Sequence, residues 1–240
     1  MRRGRDMRTA VQCLAMLGFA YGAFAQQPAP ATPGTGGRQG GAAPARAGRP
    51  PLFFREEWKQ VPGGGEHPIT PDAVANPNLE LKLYGTTSKE IQLTGSAQDE
   101  SNPIHPWTGL CTTPCAAALK DKNSYVDLSG LGRIRWVTKT SGFHQVRPIV
   151  KLADGTWLVG DHADGSPLDW LQNDIALAEV RWLKLDIAAV VTKGNFVEKP
   201  DLSKVDEVGF VDLLPGSGHG AGGWIDVAAI EVYGKPVKRQ

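Results

Sequence analysis

From Leu52 onward, apolar and polar residues alternate with a period of two. In GRIRWVTKT (132–140), Ile134 and Trp136 alternate with Arg133, Arg135 and Lys139; in HQVRPIVKL (144–152), Val146, Pro148, Val150 and Leu152 alternate with Arg147 and Lys151. Such alternation predicts half-buried strands with one face in water, and the outward arginines and lysines are then a solvated basic stripe. Further strands are expected at 52–58, 79–85, 89–95, 124–130, 180–187, 206–213 and 225–234. VKLADGTWLVGD reads as a β-hairpin with Asp154-Gly155 as a type I′ turn, because that pair tolerates positive φ angles. Helix is expected only in PCAAALKD (114–121) and part of SKVDE (203–207). Many short strands, frequent Gly and Pro turns and little helix predict an all-β fold, an antiparallel β-sandwich or barrel.

The chain opens MRRGRDMRTAVQCLAMLGFAYGAFAQQ, with four arginines ahead of or within the start of an apolar run that ends near Ala23 and Ala25. This predicts a signal peptide over 1–25, cut before Gln26, with an apolar stretch shorter than the ~20 residues of a membrane span and no cysteine after the cut for a lipid anchor. Residues 26–51, rich in Pro, Ala and Gly, offer little to bury and are expected to be a disordered linker, leaving 52–240 as one β-sandwich domain. The whole chain has 26 Lys+Arg and 25 Asp+Glu; removing Arg2, Arg3, Arg5, Arg8 and Asp6 leaves 22 against 24, a net charge of −2. A nearly neutral secreted or periplasmic protein has no global field to attract nucleic acid, so no such partner is expected.

YVDLSGLGRIRWVTKTSGFHQVRPIVKLADGTWLV, then VDEVGFVDL, then the closing GGWIDVAAIEVYG resemble the galactose-binding-like jelly roll of secreted carbohydrate-binding modules, over residues 120–234. The resemblance implies a jelly-roll sandwich, a carbohydrate or polysaccharide partner, and an acid on the last strand, here Asp226, that joins a structural calcium. Segment 96–118 departs from the pattern as a Pro-rich insertion, and a concanavalin-like sandwich is the alternative fold.

Several residues are candidates for chemistry. Cys111 and Cys115, the only cysteines left after export, are expected to form a disulfide; their CxxxC spacing is not that of a thioredoxin-like site, and zinc would need more ligands than nearby His105 supplies. His105 and Trp107 lie in a loop with two prolines, where Trp107 either stacks on a sugar or caps the core. LLPGSGHGAGGW (213–224) is either a ligand loop presenting His219 or a long surface connection. If Ile230 and Val232 face inward, strict alternation turns Asp226 inward too, toward calcium or a neutral hydrogen-bond network, unless a bulge at Ala228-Ala229 intervenes. In GDHADGSPLDW (160–170), Asp161, His162 and Trp170 are ligand contacts, Asp164-Gly165 a second turn and Asp169 a cap, with Trp58 a further aromatic candidate. No nucleophile elbow, zinc-protease motif or Cys-His pair stands out, and no catalytic residue is assigned. The expectation is a secreted carbohydrate-binding domain that does not transform its ligand; the alternatives are an extracellular sugar hydrolase or lyase and an envelope interaction protein.

Overall fold

The computed structural model describes residues 48–165, 169–219 and 222–239. The expected leader and nearly all of the linker lie outside the described residues. In chain order the strands are β1 (Leu52–Glu56), β2 (His67–Pro68), β3 (Leu79–Tyr84), β4 (Gln92–Thr94), β5 (His105–Trp107), β6 (Cys115–Asp121), β7 (Ser124–Asp127), β8 (Arg133–Thr140) and β9 (Gln145–Leu152). They continue with β10 (Trp157–Gly160), β11 (Asp164–Gly165), β12 (Leu171–Ala176), β13 (Trp182–Asp186), β14 (Val191–Val197), β15 (Val205–Asp212), β16 (Ile225–Tyr233) and β17 (Lys235–Lys238). No helix among the described residues is long and apolar enough to cross a membrane.

These strands form two antiparallel sheets. The first runs β12-β8-β16-β5-β4-β2, with β1 also on β16; the second runs β14-β13-β10-β9-β15-β6-β3, with β11 on β9 and with β7 between β15 and β17. The late strands insert between early ones, β16 between β8 and β5 and β15 between β9 and β6, which is the crossed-over order of a jelly roll. The expected all-β antiparallel sandwich is therefore present.

The core lies where the alternation places it. Ile134 and Trp136 of β8 and Ile225, Val227, Ile230 and Val232 of β16 pack with Val150, Leu158, Trp182 and Phe210 of the other sheet. Each fully buried Ile or Phe contributes about 1.5–3 kcal/mol relative to exposure. Ala116, Ala118, Ile149, Trp157, Val159 and Val211 form a second apolar cluster on the reverse face of the second sheet. There Gly209 of β15 lies so close to β6 that a Cβ would stand 2.1 Å from the Ala117 carbonyl oxygen.

Several local expectations are corrected. Residues 115–121 are strand, not helix: Ala117 and Leu119 face the main core while Ala116 and Ala118 face the second cluster. The helix preference of Ala, Leu and Lys yields to a central position between β3 and β15, because tertiary burial outweighs propensity differences below ~1 kcal/mol per residue. SKVDE likewise feeds β15 from Val205. The β9–β10 hairpin forms, but only Gly155 has positive φ, at +88°. Its amide bonds the Leu152 carbonyl and the Leu152 amide bonds Thr156, so the connection is a tight turn followed by a left-handed glycine rather than type I′. Asp164-Gly165 is not a turn either; it is β11, paired with Val146 and Gln145.

Asp164 ties the layers together. Its Oδ2 accepts the indole N–H of fully buried Trp136 at 2.6 Å, and its Oδ1 lies 3.0 Å from His162 Nε2. The hydrogen bond to Asp164 raises the His162 pKa above 6.5, against an opposing effect of burial. The basic stripe is also less free than alternation implies: Arg133 and Arg135 both bond Asp174, and Lys151 bonds the buried Glu207 at 2.9 Å.

Two outcomes follow from this packing. Gly209→Ala is expected to lower unfolding free energy by about 2–3 kcal/mol in chemical denaturation, since the added Cβ meets backbone rather than a side chain that can rotate away. Because His162 has a raised folded-state pKa, its contribution is fully present below pH 6.5 and fades as pH rises through the folded value. Its side chain is 35% exposed, which limits the effect to roughly 0.5 kcal/mol. The melting-temperature advantage of wild type over His162→Ala should therefore shrink between pH 6 and pH 8.

Candidate functional site

The outward face of the first sheet carries the candidate site, and strand parity assembles it. On β5, His105 and Trp107 are two residues apart and share one face, with Pro106 between them facing the other way. Trp107 is paired across the ladder with Asp226 of β16, and Asp226 is paired on its other side with Lys139 of β8. Lys139 belongs to the outward set of β8, whose inward partners Ile134 and Trp136 are core. Asp226 is therefore outward, contrary to the strict alternation expected from Ile230 and Val232. The reason is a β-bulge: Val227 pairs with Thr138 and Ala229 with Val137, leaving Ala228 as an extra residue that inverts parity.

Above Asp226 lies a cavity of about 220 Å³ lined by Glu66, Thr94, Asn102, His105, Trp107, His219, Trp224 and Asp226. Among the described residues, two acids, two imidazoles and two indoles line it, and no lysine or arginine does. Asp226 is 3% exposed, and its Oδ1 has no hydrogen-bond partner among the described residues. His105 Nε2 stands 3.5 Å from that oxygen, while His105 Nδ1 is 2.6 Å from the Pro103 carbonyl. The aromatic groups touch in sequence: Trp170 lies edge-on to His105 with centroids 4.9 Å apart, and Trp107 contacts both His219 at 4.8 Å and Trp224 at 6.2 Å. The Trp170 indole N–H donates to Ser101 O at 3.1 Å, fixing the ring beside the 100–107 segment.

The wall bearing His219 is held by main chain. Gly216 N donates to Cys111 O at 2.6 Å, and Gly218 N donates to Gly109 O at 2.7 Å. A Cβ on Gly216 would come within 2.3 Å of Gly109 O, so glycine is required for this approach. Beneath it, Asp212 Oδ2 accepts from Thr108 Oγ1 at 2.9 Å and lies 2.7 Å from His144 Nδ1, and Thr108 Oγ1 accepts from Ile225 N at 3.1 Å. This buried network joins β15, β16 and the end of β5 immediately below the cavity. At the rim, His219 Nε2 is 3.3 Å from Glu66 Oε1.

Of the sequence candidates, His105, Trp107, Trp170, His219 and Asp226 come together here, although only the first two and the last two line the cavity itself. Trp107 is not an open platform: it is 6% exposed, packed against the chain at Gly109 and contacted by the His219 ring. Trp224 and Trp170 are the half-buried rings. Asp161 and His162 are elsewhere. Asp161 bonds Arg181 through its backbone N–H at 2.8 Å and its side chain at 2.7 Å. Burial pushes the Asp161 carboxyl up, but these bonds outweigh it and leave the pKa below the usual value. Trp58 is core, donating its indole N–H to Val227 O at 2.8 Å.

The expected disulfide is not found. Cys111 and Cys115 are buried free thiols, with Cys111 Sγ 3.7 Å from Thr87 O. Hydrogen bonding with Cys111 and burial push the Cys115 thiol well above its ordinary range. As for the calcium that the resemblance attaches to Asp226, no group of three or more His, Cys, Asp or Glu side chains able to hold a metal gathers among the described residues.

Sequence reading missed Glu66, Thr94, Asn102 and Trp224. Two were within reach: Trp224 is two residues before Asp226, and Thr94 pairs with His105 on an expected strand. Glu66 and Asn102 come from irregular segments whose meeting no periodicity records.

No protein-family model matches the chain, and no curated protein matches it. Among solved structures, it is similar to a family 11 carbohydrate-binding module from Clostridium thermocellum in complex with a β-1,3-1,4-mixed-linked tetrasaccharide, at 16% identity and a TM-score of 0.42, covering 73% of this chain and 99% of that one. It is also similar to TmCBM61 in complex with β-1,4-galactotriose, at 11% identity and a TM-score of 0.37 over 65% of this chain and 88% of that one. A third similar structure is the Emp47p carbohydrate recognition domain, at 8% identity and a TM-score of 0.35 over 66% of this chain and 89% of that one.

Proposed function

We propose that this chain is a secreted carbohydrate-binding domain that takes a sugar residue into the cavity over Asp226 without transforming it. The observation that supports this most is the cavity's composition: the half-buried Trp224 and the buried Trp107 beside carboxylates, imidazoles, Thr94 and Asn102 in a space of about 220 Å³. Sugar rings present apolar C–H faces that pack on aromatic surface and a rim of hydroxyls that need hydrogen-bonding groups. Trp224 supplies the surface; Asp226, His105, Asn102 and Glu66 supply the polar partners. The size suits one ring or the end of a chain rather than a long polymer segment, being below the ~300 Å³ at which drug-sized pockets begin. Export by the 1–25 leader, with 26–51 as a tether, would present this face to extracellular or periplasmic glycans.

A second reading is a glycoside hydrolase, supported by the presence of two carboxyl groups, Glu66 and Asp226, around one cavity. The two readings separate in one experiment. Purified protein is titrated calorimetrically with a panel of soluble oligosaccharides, and the same mixtures are assayed for released products. The binding reading expects micromolar to millimolar affinity, weakened at least tenfold by Trp224→Ala and by His219→Ala, with no product. Product that disappears in both Glu66→Gln and Asp226→Asn establishes the hydrolase instead.

A further inference from the structure

We propose that the sugar accepted over Asp226 is a cationic amino sugar, with its protonated amine seated between Asp226 Oδ1 and His105 Nε2; this rests on the carbohydrate reading of the cavity. The argument begins with His105. Its Nδ1 lies 2.6 Å from the Pro103 carbonyl oxygen, which can only accept. The ring proton of neutral His105 is therefore on Nδ1, and Nε2 is a bare lone pair. In that form the lone pair faces Asp226 Oδ1 at 3.5 Å, and two acceptors confront each other. Even with a proton on Nε2, 3.5 Å exceeds a normal N–H···O bond.

Asp226 sharpens the requirement. Its side chain is only 5% exposed, and Oδ1 has no hydrogen-bond partner among the described residues. A buried carboxylate oxygen left without a donor is costly, and the remedy is a donor, preferably a charged one. A single hydroxyl donates once and can satisfy Oδ1 or Nε2, not both. An ammonium carries several donors and a positive charge, and can satisfy both together.

The surroundings select the same sign. Glu66 adds a second carboxylate, the indoles of Trp107 and Trp224 line the cavity, and among the described residues neither lysine nor arginine does; Lys139, the cross-strand neighbour of Asp226, has its ammonium 5.7 Å from the Trp170 ring. Aromatic faces attract cations through their quadrupole. No group of three or more His, Cys, Asp or Glu side chains among the described residues stands close enough together to hold a metal, whereas an ammonium on a sugar needs only two acceptors and a ring to lie against.

The test is calorimetric titration of the full chain at pH 6.5 with a β-1,4-linked glucosamine tetrasaccharide, its fully N-acetylated counterpart, and a neutral β-1,4-linked glucose tetrasaccharide. The amino form is expected to bind at least tenfold more tightly than either neutral form. Asp226→Asn, isosteric and checked for folding by circular dichroism, should reduce that preference to within about twofold. Equal binding of neutral and amino sugars by wild type, or a preference undiminished in Asp226→Asn, overturns the proposal while leaving the carbohydrate reading intact. No binding of any of the three overturns the proposal, and the carbohydrate reading falls with it only if the wider panel is blank too. Should Asp226→Asn fail to fold, the wild-type comparison of amino with N-acetylated ligand decides alone.

Discussion

Everything at the site hangs on one extra residue in β16. The strand lies at the middle of the first sheet, bonded along its length to β8 on one side and to β5 and then β1 on the other. Its apolar residues must meet the core at both ends, and Ile225, Val227, Ile230 and Val232 do so. The odd step from Val227 to Ile230 is possible only because Ala228 is bulged out of register. Without that step, a core-facing Ile230 would drag Asp226 inward, and the outer face would lose its central carboxylate. With it, one strand serves a fully apolar interior and a polar cavity on opposite sides.

The fold is largely legible in the sequence because period-two alternation is a strong, local signal. Where it failed, a non-local force was at work. The 115–121 segment has a helix-forming composition, and only its place between β3 and β15 makes a strand of it. Alanine there serves a purpose that propensity cannot express: small side chains on β6 let β15 approach at Gly209. The β9–β10 turn shows a finer failure, in that Asp-Gly marks a turn correctly without specifying which residue takes the positive φ.

The site was legible in its parts and not in its assembly. His105 and Trp107, expected in a loop and found on β5, Asp226 on the last long strand and His219 in a glycine loop were all visible as chemistry. Their convergence depends on the β5–β16 pairing and on main-chain docking of 216–218 against 109–111, neither of which leaves a pattern in the sequence. Conversely, the densest polar cluster in the chain, GDHADGSPLDW, divides among three structural tasks. Asp161 holds Arg181, His162 and Asp164 brace Trp136, and only Trp170 reaches the cavity's neighbourhood.

The outermost strand of the second sheet, β14, has a different consequence. It pairs with β13 on one side only, and an unpaired edge of seven residues invites a second chain to add to it. Here the register slips between Leu183 and Lys184, Gly194 takes a φ of +70°, and Lys193 is held by Asp186 at 2.7 Å. The slip and the left-handed glycine bend the ribbon, so that a flat incoming strand cannot pair along its whole length. The same irregularities that spoil ideal pairing thus guard the molecule against polymerising edge to edge.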